Sequence, residues 1–370
     1  TSALQNNGDR WTMSAAIADV TRDAIPDIYA VNYLSLSSDV LQRLCKREGQ
    51  PVQCRPTMFP AEPDTLLVGV GDGHFIDQSA KFKIPTQGKG MGVIVGPLGS
   101  SHPGDLFVSN DTTPNHLLRH RYDSSKTFRL FNEATTAGVA LGGSGETLAC
   151  MGVAAGDVNG DGLLDLFVTN FSGQPNNLYI QQADGLFEDH SRSSRLYTPS
   201  LPLMGWGAQF LDANLDGYPE LVVANGHLED YSMFAQQSRM STQVFQNHEG
   251  RIFREISPVE LGPYFEKTYF GRAVARLDWN RDGLDDICVS HVDAPTALLE
   301  NQTKLHGHFL AIDLVGTVSA RDPVGTVVKT HVGEAKVSGS LCAGDGFQCS
   351  NQHHILLGVG NQHVVSQLVV

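Results

Sequence analysis

"DVNGDGLLD" (157–165), followed at once by the apolar run "LFVTN" (166–170), is the stretch that decides the fold of this chain. Acidic or amide side chains stand at its first, third, fifth and ninth positions, where carboxylates repel one another unless a cation lies between them. The glycine after the fifth position permits a sharp turn, as it does in other calcium loops built on alternate positions. The stretch therefore predicts a calcium loop that leads into an apolar strand.

The same unit recurs in register along the chain, at 15–33, 92–111, 152–171, 207–226 and 272–291. A second phrase alternates with it and places two apolar runs around a turn such as "ADG", at 64–80, 115–135, 176–191 and 242–257. An Asp-Gly turn between alternating runs is a strong hairpin signal. Each repeat thus supplies about four short strands, which predicts an all-β fold, a β-propeller of four-stranded blades.

Three of the acidic loops keep the full ligand pattern, with side-chain oxygens at positions one, three, five and nine and the backbone carbonyl of position seven. For a single copy, a polar turn explains the composition as well as a metal does. Three copies in register favour Ca²⁺, because Mg²⁺ seldom uses a cage made only of protein atoms. The predicted ligands are Asp157, Asn159, Asp161, Leu163 (carbonyl) and Asp165; Asp212, Asn214, Asp216, Tyr218 (carbonyl) and Glu220; and Asp278, Asn280, Asp282, Leu284 (carbonyl) and Asp286.

The other two copies of the loop are degraded. "DVTRDAIPD" (19–27) has no glycine at the turn, and we expect it to be a weaker calcium loop whose ligands are Asp19, Thr21, Asp23 and Asp27. "PLGSSHPGD" (97–105) retains only Asp105 of the acidic positions, so no calcium is expected there. The ions are predicted to be structural, because neutralising a carboxylate cluster couples ion binding to folding.

The overall charge excludes one class of partner. The chain has 370 residues, with 26 Lys and Arg against 40 Asp and Glu, a formal net charge of −14. Nucleic-acid binding is not expected, because neutralising phosphates needs clustered basic residues. No apolar run is long enough to predict a transmembrane segment.

Six cysteines point to an oxidising compartment. Cys45 and Cys54, and likewise Cys342 and Cys349, bracket short loop-like segments, which favours two disulfides over four unrelated thiols. The expected location is therefore extracellular, at the cell surface or periplasmic. The remaining two, Cys150 and Cys288, stand in apolar runs and are expected to be small buried residues.

These residues resemble a known family. The units "DVNGDGLLDLFVTN" (157–170) and "DANLDGYPELVVANGH" (212–227) are similar to FG-GAP/VCBS repeats, relatives of the integrin α-chain propeller. Residues 44–77 and 308–360 resemble the cysteine-containing insertion and the C-terminal module of the cartilage-acidic-protein (ASPIC/UnbV) group. The resemblance implies a propeller with integrin-like calcium loops over 1–303 and a small β-rich module over 304–370.

Both ends of the chain depart from the family pattern. The sequence starts within a blade phrase and stops at Val370, before the Trp-Pro expected at the end of the module. We therefore expect a fragment or processed form, with N-terminal blade sequence missing and the C-terminal module truncated.

For function, the resemblance implies a non-catalytic calcium-binding propeller used for adhesion, molecular recognition or structural assembly. Its partner, a protein or a glycan, is not identified by the sequence. The alternative is a propeller-fold enzyme acting on polysaccharide, a lyase or a hydrolase, because propellers host both kinds of function. A cleft that holds a carboxylate pair, or a His–Tyr–Arg cluster, with perturbed pKa values would favour the enzyme.

Overall fold

Five antiparallel sheets follow one another along the chain in the computed structural model, which describes residues 10–370 apart from 37–39, 41, 100–102, 123, 125–127, 305 and 334. Four sheets have four strands each, and the fifth has three within the described residues. We call these sheets blades one to five. The predicted all-β architecture of four-stranded blades is confirmed.

The strands of the blades run in chain order from one side of each sheet to the other. Blade one contains β1 (Thr12–Ala18), β2 (Asp27–Asn32), β5 (Thr65–Gly69) and β6 (Phe75–Asp77). A separate hairpin of β3 (Cys45–Arg47) and β4 (Gln50–Val52) is inserted between β2 and β5. Blade two contains β7 (Gly90–Gly96), β8 (Asp105–Asn110), β9 (His116–Tyr122) and β10 (Phe128–Asn132). Blade three contains β11 (Cys150–Gly156), β12 (Asp165–Asn170), β13 (Asn177–Gln181) and β14 (Phe187–Asp189). Blade four contains β15 (Gly205–Leu211), β16 (Glu220–Asn225), β17 (Gln243–His248) and β18 (Ile252–Glu255), and blade five β19 (Gly271–Leu277), β20 (Asp286–His291) and β21 (Ala297–Leu299).

The helices whose bounds lie within the described residues are single turns. Those in the connections between blades are α1 (Ser79–Phe82), α2 (Ala134–Ala137), α3 (Tyr197–Ser200) and α4 (Pro258–Leu261), and short 3₁₀ turns lie at Pro56–Met58 and Ser232–Phe234.

The first strands of the blades line a common axis. β1, β7, β11, β15 and β19 contact one another in chain order, so the sheets stand side by side like the blades of a propeller. Apolar clusters fill the spaces between neighbouring blades; Val93, Val95, Leu106 and Val108, for example, lie in the cluster shared by blades one and two. Burial between sheets rather than within one sheet explains why the strands read as continuous apolar runs.

Neighbouring first strands approach so closely that glycine is required. A Cβ on Gly152 would lie 2.1 Å from the carbonyl oxygen of Trp206 in the next blade. Hydroxyl groups bridge the same junctions: Ser109 Oγ donates to the Met151 carbonyl at 2.5 Å, and Thr169 Oγ1 donates to the Trp206 carbonyl at 2.6 Å. Side-chain hydroxyls therefore join blade two to blade three, and blade three to blade four, by hydrogen bonds to the backbone of the following blade.

The C-terminal residues form two small sheets of their own. β22 (Phe309–Ile312) pairs with β25 (Ile355–Gly358), while β23 (Val327–Val332) lies between β24 (Ala335–Ser340) and β26 (Gln367–Val369). We call residues 307–370 the C-terminal module.

Between β24 and β25, residues 341–352 leave the module and cross the propeller axis; we call them the channel segment. Ala343 exchanges two backbone hydrogen bonds with Val95 of β7, and Gly346 exchanges two with Val153 of β11. The segment also contacts the other three first strands. Gly344 lies against Ala16 of β1. Asn351 Nδ2 donates to Gln209 Oε1 of β15 at 3.1 Å, and Cys349 Sγ donates to the Val274 carbonyl of β19 at 3.2 Å. The segment therefore touches all five blades.

One of the two expected disulfides is present. Cys45 and Cys54 are bonded across the inserted hairpin, whereas the expected Cys342–Cys349 bond is not formed and both thiols are free. The two residues belong to the channel segment and face different blades, since the Cys342 thiol lies against Gly96 and the Cys349 thiol donates to Val274. Cys150 is buried, as expected, and Cys288 is half-buried.

The junctions between blades provide a stability test. Gly152→Ala should destabilise the protein by roughly 1–3 kcal/mol or more, because the new methyl group must push the Trp206 backbone away. Gly104→Ala is the control, because its Cβ would have only ordinary contacts at 3.6 Å. Urea unfolding followed by circular dichroism measures both, and equal midpoints would contradict the tight approach of the first strands.

Candidate calcium loops

Four acidic loops have the same place in their blades, between the first and second strands. They are residues 19–27, 157–165, 212–220 and 278–286, in blades one, three, four and five. Each loop ends at the residue that begins the second strand. The repeats therefore bring the predicted ligands to one end of the propeller.

The first-position aspartate holds each loop in a turn by accepting backbone amides. Asp157 Oδ1 accepts the amide hydrogens of Gly160 and Asp161 at 2.9 and 3.1 Å, and its Oδ2 accepts that of Gly162 at 2.8 Å. The amides of the fifth and sixth positions donate in the same way, at 2.9–3.1 Å, to the first-position residues Asp19, Asp212 and Asp278.

The third, fifth and seventh positions of the complete loops are also equivalent. The third-position asparagine donates from Nδ2 to the fifth-position aspartate at 2.9–3.0 Å, and that aspartate accepts the amide of the seventh position at 2.8–2.9 Å. The residues concerned are Asn159, Asp161 and Leu163; Asn214, Asp216 and Tyr218; and Asn280, Asp282 and Leu284.

All four loops pass through the left-handed backbone region at their fourth and sixth positions. The φ angles are 75° and 84° at Gly160 and Gly162, and 65° and 67° at Arg22 and Ala24. Loop 19–27 therefore keeps the shape of the complete loops although it lacks their glycine. An L-residue with a Cβ costs roughly 1–2 kcal/mol in this region, so the surroundings of Ala24 must hold it there.

The ninth-position carboxylate links the loop to the third strand. Asp165 Oδ2 accepts the amide of Val158 in the loop at 3.0 Å, and Oδ1 accepts that of Gln181 on β13 at 2.9 Å. Asp286 makes the equivalent bonds to Trp279 at 2.9 Å and Asn301 at 2.7 Å. These carboxylates are fully buried or nearly so.

Glu220 departs from this pattern in one respect. Its Oε2 accepts the amide of Ala213 at 3.0 Å, but Oε1 is buried and has no hydrogen-bond partner among the described residues. Burial and the nearby carboxylates of Asp212 and Asp216 raise the pKa of Glu220 to about 8. A buried carboxylate oxygen without a donor is costly unless something positive lies beside it.

The other loop carboxylates are perturbed in the same direction. Burial, with a contribution from the Asp216 carboxylate, raises the pKa of Asp212 to about 6. The pKa values of Asp157, Asp165 and Asp286 are raised mainly by burial, with repulsion from neighbouring loop carboxylates adding to it. The loops thus concentrate more negative charge than their own surroundings balance.

No three His, Cys, Asp or Glu side chains come together at metal-binding spacing anywhere in the described part of the chain. In the loops, the carboxylates accept amide hydrogens from their own backbone, and the third position supplies an amide oxygen. The oxygen-only donor set and the unpartnered oxygen of Glu220 nevertheless suit a hard divalent cation.

Blade two uses a different counter-charge for its buried acid. Asp105, at the ninth position of the degraded loop, lies 3.9 Å from the guanidinium of Arg119 and 3.4 Å from Nδ1 of His120. All three side chains are buried. The cationic side chain of Arg119, from β9, therefore stands beside the carboxylate, and the absence of calcium from this loop stays a prediction. Residues 100–102 of the loop lie outside the described part of the chain.

A cleft between blades four and five is lined by four carboxyl groups, those of Glu220, Glu260, Asp285 and Glu300. Its volume is about 620 Å³, its floor is apolar, and Glu220 and Asp285 both line it. The guanidinium of Arg276, 2.9 Å from Asp285, overcomes the effect of burial and lowers the pKa of that carboxyl. The pKa values of Glu220 and Asp285 are thus shifted in opposite directions.

Comparison with known proteins confirms the family resemblance. Residues 157–223 match the model of the FG-GAP-like repeat. The chain is 26% identical over 234 residues to cartilage acidic protein 1 of Homo sapiens and 28% identical over 235 residues to that of Mus musculus, covering 63% of this chain in each case. These matches cover 33% and 34% of the relatives, so the chain spans about a third of their length.

Two solved structures share a general likeness. One is an Agrocybe aegerita lectin that recognises non-reducing terminal N-acetylglucosamine, with 14% identity, a TM-score of 0.35 and coverage of 80% of this chain and 83% of the lectin. The other is the exotype rhamnogalacturonan lyase YesX, with 12% identity, a TM-score of 0.29 and coverage of 96% and 74%. At these scores the likenesses support no functional assignment.

The backbone of loop 19–27 can be tested directly. Ala24→Gly should stabilise the protein by roughly 0.5–1 kcal/mol, because glycine adopts a φ of 67° without the steric cost of a Cβ. Ala16→Gly, in the regular strand β1, should destabilise it instead. Urea unfolding in a chelator measures both variants, and a loss of stability in Ala24→Gly would contradict the left-handed turn.

Glu220 predicts a pH dependence of the ion-free protein. Its folded-state pKa of about 8 lies above the ordinary 4.5, so its contribution to stability is complete below pH 4.5 and is lost as pH rises through 8. Between pH 4.5 and pH 8, Glu220 lowers the free energy of unfolding by at most about 1.4 kcal/mol per pH unit. In chelator, Glu220→Gln should therefore gain stability relative to the parent protein between pH 5 and pH 8. Chemical unfolding at both pH values measures this difference, and a constant difference would contradict the raised pKa.

Proposed function

We propose that this chain is a non-catalytic, calcium-stabilised extracellular propeller that serves molecular recognition, adhesion or structural assembly. The observation that carries the proposal is the repetition of one loop geometry in four blades, each ending in a buried carboxylate. The complete loops, 157–165, 212–220 and 278–286, are proposed as the principal calcium sites. Loop 19–27 is proposed as a weaker site, because it lacks the third-position amide oxygen.

In this proposal the ion supplies the positive charge that the loops lack. The side chains at positions one, three, five and nine, with the carbonyl of position seven, would hold it. Since the ninth-position carboxylate also contacts the third strand, ion binding would stabilise the blade as well as the loop. The residues act structurally, and no reaction is assigned to them.

The proposed location rests on two further observations. The Cys45–Cys54 disulfide is typical of proteins that fold in oxidising compartments. Loops with this ligand set also suit the high calcium concentration outside cells, where sites of 10⁻⁴–10⁻³ M affinity are common. Within the described residues, no helix is long and apolar enough to cross a membrane.

The cleft between blades four and five favours a second candidate, an enzyme that acts on polysaccharide. Carboxyl groups with pKa values displaced in opposite directions are the arrangement used by glycosidases. Against it, Glu220 is the ninth position of a calcium loop and Asp285 is paired with Arg276. New reducing ends or unsaturated products from a panel of polysaccharides, lost in Glu220→Gln, would establish the enzyme.

Calcium binding is tested by thermal unfolding with and without ions. Calcium at about ten times the Kd should raise the melting temperature by several degrees, because each occupied site then gains about 1.4 kcal/mol and three sites are proposed. Asp161→Asn should reduce this shift, because it replaces a charged carboxylate ligand with a neutral amide oxygen. Isothermal titration calorimetry measures the number of ions bound, and no bound calcium would overturn the proposal.

Asp105→Asn is the matched control for Asp161→Asn. It weakens the pairing with Arg119, so it should lower the melting temperature by the same amount with and without calcium. A reduced calcium shift in this variant would show that the loop of blade two binds the ion after all.

A further inference from the structure

The end of the propeller that carries the acidic loops is covered by the C-terminal module. All three complete loops, 157–165, 212–220 and 278–286, contact residues of the module directly. The contacts involve the loop backbone or the ligand carboxylates themselves, and each loop is described in turn below.

The loop of blade three meets β23 and β24. Ser338 Oγ donates to Asp157 Oδ2 at 2.6 Å, which is the carboxylate oxygen that also holds the amide of Gly162. The ammonium group of Lys329 lies beside Gly162, 3.2 Å from where a Cβ would stand. A cavity of about 90 Å³ between the module and the propeller is lined by Asp157, Ser338 and Asp212, among other residues.

Residues near both ends of the module contact the loop of blade four. The amide of Gly307 donates to the carbonyl of Asn214 at 2.9 Å, and that of Gly360 donates to the carbonyl of Leu215 at 2.9 Å. Gly358 lies so close that a Cβ there would be 2.0 Å from Oδ2 of Asp212. Asn214 and Leu215 are at the turn that the Asp212 carboxylate holds in place.

The loop of blade five meets the end of the channel segment and β22. The amide of Asp278 donates to Gln352 Oε1 at 2.9 Å. The ring of Phe309 covers Gly283, so that a Cβ at this position would lie 2.0 Å from a ring carbon. Here too the module contacts the loop at its first and sixth positions.

These contacts need the loops to keep their turn. Three carboxylates in each loop repel one another, and this repulsion opposes the turn that brings them together. A bound cation removes the repulsion and fixes the turn, so the atoms that meet Ser338, Gly360 and Gln352 are held in position. Without the cation, docking has to overcome that repulsion as well as the mobility of the loop.

We infer that this end of the propeller is an ion-dependent interaction surface whose occupant is the C-terminal module of the same chain. The inference rests on the calcium binding proposed above. Because β24 leads directly into the channel segment, docking of the module also places that segment across the axis. Ion occupancy thus controls whether the axis is filled. By linkage, the docked module strengthens ion binding to the same degree.

Hydrogen exchange on the whole chain tests this inference. Chelation should speed exchange of the Ala343 and Gly346 amides, which are bonded to Val95 and Val153, at least tenfold. The amide of Phe107, inside blade two, which has no complete acidic loop, should remain protected. Unchanged exchange at Ala343 and Gly346, with bound calcium shown by calorimetry, would overturn the inference and leave the proposed function standing. If calorimetry shows no bound calcium, both fail.

Variants of module residues test whether docking of the module strengthens calcium binding. Ser338→Ala removes the hydrogen bond to Asp157 and should weaken calcium binding about three- to tenfold. Ser366→Ala, whose hydroxyl donates to the His331 carbonyl within the module and to no calcium loop, is the control and should leave calcium affinity unchanged. If Ser338→Ala does not fold, Gln352→Ala provides the same test at Asp278. Calcium affinity equal to that of the control would contradict the inference.

Discussion

A buried carboxylate at the start of the second strand of every blade is the constraint on which the structure depends. The five residues are at most 4% exposed, and they are Asp27, Asp105, Asp165, Glu220 and Asp286. Three of them, Asp27, Asp165 and Asp286, each accept one amide from the loop before the second strand and one from a residue in or just after the third strand. In these blades one side chain therefore joins the loop to the third strand. A charge in this place must be balanced. In blade two Arg119 and His120 stand beside it, and in the other blades the proposed calcium ion would supply the balancing charge.

Much of this arrangement could be predicted from the sequence, because it is local and repeated. Apolar alternation and Asp-Gly turns indicate the strands, and the five units in register predict the blades. The acidic spacing likewise identifies the loops, and the structure gives them one shared geometry. Even loop 19–27, without its glycine, follows the pattern. Occupation of these loops by calcium is a prediction that the geometry supports and leaves to experiment.

What could not be predicted depends on contacts between residues far apart in the chain. The channel segment joins residues near 345 to strands that begin at residue 12, and no local pattern indicates that path. The free Cys342 and Cys349 follow from it, because each thiol faces a different blade. Arg119 and His120 belong to an ordinary-looking strand, "HLLRHRY" (116–122), and become significant only beside Asp105. Ser338 has no distinguishing feature until the module is docked.

The cation within blade two has a consequence for how the molecule assembles. Arg119 is part of the chain, so blade two has its balancing charge as soon as it is synthesised. If blades three to five take theirs from solution, they reach their final form only where the ion is present. Blade two then offers a finished surface on which blade three can form, and blades four and five follow in the order of the chain. The degraded loop would in this case be the starting point of the propeller.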